Sequence, residues 1–409
     1  MTEQMNVPRL RFGEFAEKWV LNKAPIKILA GNAYKLEEYT DNGYLLIQGL
    51  HIQPCKLVLE ASPKYVSTSG TNHLKIDFGD IVLGLNRPVT NNQLKTCRFE
   101  LDEESVLYQR AGKLKFDTSK LDTEFLYQYI RSPIFMKQLD LELIGSDQPY
   151  IRSNLFQATK NIFPLLPEQQ KIASFLSKVD EKIGLLSEKK AKLTEYRKGV
   201  MQQLFNGHWQ HSTQEQGGQP TFTPPSLRFK ADDGSEFPDW EEKTIEDVCS
   251  VGTGSKDTQN RIDGGLYPFY VRSNTVERIN SFGYDGEAIL TSGDGVGVGK
   301  NYHYVNGKFD YHQRVYCLNE FKAGNNGKYI YYYFSEYFYR RVIRLSAKNS
   351  VDSVRRDMIT KMYMPVPTET EQTKIANFLS AIDQKIALAN SELDKTKEWK
   401  RGLLQQMFV

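Results

Sequence analysis

The chain has 409 residues, with 53 Lys plus Arg against 50 Asp plus Glu, a net charge of +3, and 40% hydrophobic and 25% charged residues. That length fits two to four domains of about 100–200 residues, and the composition is that of a globular chain rather than a disordered one. The near-balanced charge excludes a protein held on nucleic acid or membrane by bulk charge alone. No apolar run approaches the roughly 20 residues that cross a bilayer. The opening MTEQMNVPRLRFGEFAEKW lacks the apolar core of a signal peptide, so a cytoplasmic protein without membrane contact is expected. Cys55, Cys97, Cys249 and Cys317 are scattered without a C-x-x-C pair and read as buried free thiols, not as a disulfide frame or zinc site.

Taken in chain order, the first half opens on Leu10-Arg11-Phe12 followed by Trp19. A mixed stretch follows, with strand-like runs at Tyr44–Ile47 and Gly79–Leu83. Phe125–Ile130 places large residues at helical spacing and predicts an amphipathic core helix. From Pro164 the pattern changes. Ile172, Leu176, Val179, Ile183, Leu186, Leu193, Val200 and Leu204 fall on alternating steps of four and three, with Lys190 and Arg197 in the gaps. A sustained period of 3.5 residues is a coiled-coil seam, and Pro167 with Glu168 suits its N-terminus.

Residues 208–225, with the segment STQEQGGQPTFTPP, read as a polar linker. His208 and His211 sit in it at metal-like spacing but lack a Cys or carboxylate companion, so a solvated linker is expected there. The second half opens on Leu227-Arg228-Phe229 followed by Trp240, then strand-like Tyr267–Val271 and Ala288–Leu290. The cluster Ser292-Gly293-Asp294-Gly295-Val296-Gly297-Val298-Gly299-Lys300 is not a Walker loop, because Asp294 and Asn301 stand where Gly and Ser or Thr are required. It lies between two strand-like runs and reads as a loop whose backbone can approach a ligand closely. The aromatic run Tyr329–Phe334, with Tyr337, Phe338 and Tyr339, is expected to be a core helix rather than a base-stacking platform.

Ile375, Leu379, Ile382, Ile386, Ala389, Leu393, Leu403 and Met407 repeat the seam, with Thr396 and Lys400 in the gaps. EQQKIASFLSKVDEKI from Glu168 returns as EQTKIANFLSAIDQKI from Glu371, at an offset of 203 residues that holds without a gap to the end. Fainter echoes are Gly43-Tyr44 with Leu266-Tyr267, and Gln109-Arg110 with Gln313-Arg314. The remainder of the two middles has diverged. The expected fold is α+β: two mixed α/β globular domains (1–163 and 226–365), each followed by a spacer-helix segment (164–207 and 366–409) in which the 39 aligned residues make a rod of about 58 Å. Such a helix is expected to bury its stripe on the other helix rather than in its own domain. An approximate two-fold relation between the halves makes the coiled coil antiparallel and places the domains at its opposite ends.

The adjacent Pro238-Asp239, Glu241 and Lys243 do not make a nuclease site, and no G-x-S-x-G, H-E-x-x-H or base-gripping Asn/Asp-Pro-Pro-Tyr/Phe segment occurs. The chain is expected not to be an enzyme, and no catalytic or metal-ligating residue is assigned.

The duplicated P-x-L-R-F…W openings (Pro8 to Trp19, Pro225 to Trp240) stand with PLLPEQQKIASFL (Pro164 to Leu176) and its second copy (Pro365 to Leu379). With the Gly-x-x-Gln-Gln-x-Phe helix ends, they resemble the DNA-specificity subunit of a type I restriction-modification enzyme over nearly the whole chain. The resemblance implies two target recognition domains, each reading one half of a split double-stranded DNA sequence. It also implies an antiparallel coiled-coil spacer that docks two methyltransferase subunits, with restriction (motor-nuclease) subunits joining them. S-adenosylmethionine, ATP and Mg would then serve the partner subunits, none being bound by this chain, and base flipping would occur in the methyltransferase. The half-sites would lie around one helical turn apart.

Arg, Lys, Asn and Gln read base edges, while Arg, Lys, Ser and backbone amides hold phosphates. On that basis the DNA-contact candidates are Gln48, His51, Asn86, Arg87 and Lys95 in the first domain. In the second they are Arg272, Ser273, Asn274, Gly297, Lys300 and Tyr302. Gln109-Arg110 and Gln313-Arg314, shared by both halves, are expected to support the fold or hold phosphate. The competing readings are a coiled-coil scaffold without DNA binding, and an enzyme using the 293–300 loop on a nucleotide.

Overall fold

A computed structural model describes residues 7–69, 73–145, 147–210, 221–345 and 353–409. His211, the first six residues of the opening segment and most of the linker lie outside the described residues. The ends of the linker are paired rather than free, Thr221–Thr223 forming a two-stranded antiparallel ribbon with His208–Gln210. The chain divides into two units, residues 1–188 with 390–409 and residues 189–389, so each unit takes a part of both long helices.

The first unit carries a four-stranded antiparallel sheet in the order Lys27–Ala30, Ala111–Lys115, Ile81–Gly84, Thr96–Arg98. Ile81–Gly84 is central and buried throughout, as a continuous apolar run requires. A second sheet of five short strands contains Tyr44–Ile47 pairing parallel to Ser105–Leu107. In the second unit one six-stranded sheet runs Ser250–Thr253, Val315–Asn319, Tyr284–Ser292, Tyr302–Tyr311, Tyr267–Tyr270, Val276–Ile279. Its first four strands repeat the order of the four-stranded sheet, the chain visiting positions one, three, four and then two in each. Tyr267–Tyr270 pairs parallel to Tyr302–Tyr311, as Tyr44–Ile47 does to its own partner. The duplication therefore continues through the middles that the sequence shows as diverged.

Both units also contain the expected core helix. Thr123–Tyr129 is capped by Asp122, whose carboxylate accepts from Phe125 N at 2.8 Å. Gly327–Leu345 is capped by Asn326, whose amide oxygen accepts from Tyr329 N at 3.1 Å. Tyr329, Ile330, Tyr332, Phe334 and Phe338 are buried in the core, so this face of the helix packs inward as expected, while Tyr331, Tyr333 and Tyr337 are half-buried and Tyr339 is exposed.

The long helices span Leu166–Leu204 and Glu369–Gln406. Their seam is buried at Ile172, Leu176, Val179, Leu186, Ile375, Leu379, Ile382, Leu393 and Leu403, and half-buried at Ile183, Leu193 and Ile386. One expectation is corrected here. Ile172, Leu176 and Val179 do bury their stripe in their own domain, sharing a core with Trp19 and Phe125 as well as with Leu403 of the other helix and Phe408 just beyond its end. Ile375, Leu379 and Ile382 do the same with Trp240 and Tyr329. Each globular core wraps the first turns of its helix together with the last turns of the other one.

The duplicated openings acquire a cause at these helix starts. Arg11 grips Glu168 with two bonds of 2.7 Å, and Trp19 Nε1 donates to the same carboxylate at 3.2 Å. Arg228 grips Glu371 at 2.9 and 3.1 Å, with Trp240 Nε1 donating at 3.1 Å. Next along each helix, Gln169 accepts from Asp122 N and Gln372 from Asn326 N, both at 2.8 Å, tying the spacer helix to the N-cap of the core helix. The seam gaps are used as well. Lys400 pairs with Asp180, which also meets Gln128 at 2.9 Å and Arg131 at 3.3 Å. Arg197 pairs with Asp383, which accepts from Tyr332 at 2.9 Å. Position 180 meets 400 and position 197 meets 383, so the helices pair in opposite senses. Polar pairs set into an apolar seam in this way penalise other registers.

Among the four cysteines, Cys97, Cys249 and Cys317 are buried, and burial pushes each thiol up to about 12. Cys55 departs from expectation: it is exposed, in a turn with φ 62°.

Candidate nucleic-acid interface

In the first unit the Gln48–His51 turn, the loop after Ile81–Gly84, and the turn before Ala111–Lys115 converge at one edge. Leu85 N donates to Arg110 O at 3.0 Å, Arg87 N to Pro149 O at 2.7 Å and Gly84 N to Lys95 O at 2.9 Å. A Cβ on Gly49 would lie 2.5 Å from Arg110 O, so the first turn presses directly on the third. This brings Gln48, Asn86, Arg87 and Lys95 together, and adds Arg110. Arg87 and Arg110 are exposed, Lys95 is half-buried, and none of the three forms an ion pair among the described residues. His51 belongs to the turn itself: it is 2% exposed and its Nδ1 accepts from Gln48 N at 3.2 Å. Burial pulls its imidazole below the ordinary range, the nearby Lys64 acting in the same sense and Glu60 against it, so it stays neutral.

The second unit builds the same edge from different side chains. Gly293 N donates to Arg314 O at 2.8 Å, as Leu85 does to Arg110, and Val354 N donates to Gly293 O at 2.7 Å, as Ile151 does to Leu85 at 2.9 Å. Arg87 and Gly295 both have positive φ, 45° and 73°, two residues after these bonds. Asn86 of the first unit is thus matched by Asp294, and Arg110 by Arg314. Asp294 holds two arginines, Arg314 at 2.7 Å and Arg272 at 3.1 Å. Burial raises the Asp294 carboxyl, but hydrogen bonds from Arg314 and Arg272 outweigh it and keep the group below its usual range.

The Arg272 carbonyl accepts from Ser292 Oγ at 2.9 Å and Asn301 Nδ2 at 2.8 Å. Gly297 is buried beneath it: a Cβ there would stand 2.4 Å from both Arg272 O and Asn301 Nδ2. Glycine is required by this close approach rather than by φ, and the residue shapes the loop from inside. Ser273, Asn274 and Lys300 are exposed around it, with Ser273 Oγ bonded to Thr275 O at 3.2 Å. Tyr302 sits apart from them, its ring edge-on to Phe334 at 5.7 Å and its hydroxyl buried without a partner among the described residues. Arg314 N donates to Nδ1 of the buried His312 at 2.9 Å, so a neutral imidazole also fixes this turn.

In sequence, Asp294 stands out only as a misfit to a phosphate loop, and Arg110 and Arg314 read as shared support or phosphate contacts. The Gln-Arg echo was the available signal. What it lacked was the neighbouring loop, which comes close only once the strands pair.

No group of three or more His, Cys, Asp or Glu among the described residues could hold a metal ion, and no described helix is long and apolar enough to cross a membrane. The family model "Type I restriction modification DNA specificity domain" matches residues 60–195 and 238–398. The chain belongs to this family. The two matches span both duplicated halves and run from within each recognition region into its long helix. Among curated members, the MjaVIII specificity subunit of Methanocaldococcus jannaschii is 31% identical over 211 residues, 50% of this chain and 49% of that one. The EcoDI specificity subunit of Escherichia coli is 24% identical over 157 residues, 38% and 34% of the two chains. The chain thus spans half or less of the curated relatives it matches. A solved type I restriction-modification S subunit from M. genitalium superposes with TM-score 0.62 at 16% identity, covering 98% of this chain and 99% of that one. A second structure, from work on assembly and conformational transition of the type I system, gives TM-score 0.51 at 18% identity over 95% and 98%. These two likenesses concern the fold.

Proposed function

We propose that this specificity-family chain recognises a two-part, asymmetric double-stranded DNA sequence, one half with each unit, and positions catalytic partners on it without catalysing a reaction itself. The observation that carries the reading is the repeated edge. One backbone arrangement of loop and Gln-Arg turn presents Asn86, Arg87, Lys95 and Arg110 in the first unit and Asp294, Arg272 and Arg314 in the second. A common frame with different donor patterns suits two readers of different half-sites. The modest net charge fits a division in which partners supply part of the phosphate clamp.

Two methyltransferase subunits would dock on the long helices, and motor-nuclease subunits would join them. The helices carry exposed apolar side chains at duplicated positions, Leu185 with Leu388 and Tyr196 with Trp399, which supports two equivalent docking places. S-adenosylmethionine, ATP and Mg would be held by those partners, and the assembly would work in the cytoplasm. The test is selection of duplexes from a random library by the chain reconstituted with its methyltransferase. The expected result is enrichment of one motif with two fixed parts and an unread gap; binding without enrichment would refute the reading and favour a scaffold.

A further inference from the structure

We infer that Asp294 is a positioning residue that sets Arg272 and Arg314 as a paired guanidinium reader of a guanine-containing step in the major groove of the second half-site. This rests on the DNA-recognition reading above and assigns one group of residues within it.

The arrangement is over-determined for a surface ion pair. Exposed pairs contribute little to stability, and the Arg272 and Arg314 side chains are 48% and 63% exposed. Yet the Arg272 backbone is fixed by Ser292, Asn301 and the glycine cradle at 297, and the Arg314 backbone by His312 and Gly293. Asp294, with its side chain 14% exposed, then fixes both guanidinium groups. Each guanidinium has five N–H donors; one of each is bonded to Asp294, and the others are available to a ligand. Pre-ordering of this kind lowers the entropy lost on binding.

The carboxylate also chooses between ligands. Two free arginines would grip phosphate of any sequence. A carboxylate between them cuts the local charge from two to one and repels the backbone, which favours base edges, where arginine pairs bidentately with guanine O6 and N7. The first unit makes the contrast. Asn86 stands where Asp294 does, and Arg87 and Arg110 have no acidic partner among the described residues, as suits looser phosphate contacts.

The experiment uses the reconstituted chain and methyltransferase, selecting from a random duplex library, with wild type, Asp294→Asn, Arg314→Lys and Arg87→Lys compared. In Asp294→Asn, one base pair of the second half of the motif should relax by roughly ten-fold or more. Binding to non-selected duplex should rise, with the salt slope steeper by up to about one. Arg314→Lys keeps charge but loses the fork, and should relax the same base pair without the rise. Arg87→Lys, in the other unit, should leave the second half of the motif intact. If the wild type selects a two-part motif while Asp294→Asn and Arg314→Lys select it unchanged, the inference fails and the functional reading stands. If the wild type selects nothing, the functional reading itself fails. Should Asp294→Asn not fold, Arg314→Lys alone decides.

Discussion

Replacing Glu371 by alanine tests the account of why the two openings are duplicated. The side chain is fully buried, Arg228 is 13% exposed, and the bonds to Arg228 and Trp240 measure 2.9, 3.1 and 3.1 Å. Removing one partner of a buried pair leaves the other charged and unsolvated, which costs about 3–5 kcal/mol. Glu371→Gln keeps an acceptor oxygen but loses the charge, and should cost about 2 kcal/mol. The double substitution Arg228→Leu with Glu371→Leu removes both charges and should recover part of the loss. A chain of two units need not unfold in one step, so the readout is amide exchange with urea, followed separately in segments 240–249 and 81–85. Glu371→Ala should weaken protection in the first of these segments, and Glu168→Ala in the second. A loss below about 1 kcal/mol, the scale of an exposed pair, would refute the claim that this buried grip anchors each recognition unit to its helix.

Other outcomes follow from the same contacts. Asp180→Asn strands Lys400, 5% exposed, together with Arg131, and should cost about 3 kcal/mol; Asp383→Asn, at a site whose carboxylate is 37% exposed, should cost about 1 kcal/mol in the same urea titration. Gly297→Ala should displace the 293–301 loop and weaken DNA binding, with about 1–3 kcal/mol of strain visible in thermal unfolding. His51 and His312 have pKa values lowered by burial, so below the ordinary 6.5 the unfolded chain binds protons that the folded one refuses. Stability should therefore fall as pH drops from 7 towards 5, and His312→Gln should reduce that fall; a flat profile over this range would contradict the burial of these rings.

Much of this was legible in sequence because it repeats. The heptad seam, the constant offset and the Arg…Trp openings are local patterns, and they gave the helices, their pairing sense and the family. The partners of the motifs were not legible. Arg11 and Glu168 lie far apart in the chain, and only folding shows that the opening motif exists to hold the helix start. The shared sheet order was hidden because buried strands conserve apolar character rather than identity, as in Ile81–Gly84 against Ala288–Leu290. Polar residues picked by type alone divided accordingly. Arg87 and Lys300 face solvent, whereas His51, Gly297 and the Tyr302 hydroxyl turn inward, because residue type does not reveal which side of a loop is packed.

The central claim is tested most directly by mapping N6-methyladenine across the genome of a methylation-free host that co-expresses the chain with the methyltransferase subunit proposed as its partner. The account predicts methylation at one asymmetric, two-part motif, and exchange of residues 1–163 for another recognition domain should change one half of that motif alone. An active, copurifying methyltransferase that leaves no such motif, or a domain exchange that alters both halves together, would contradict it.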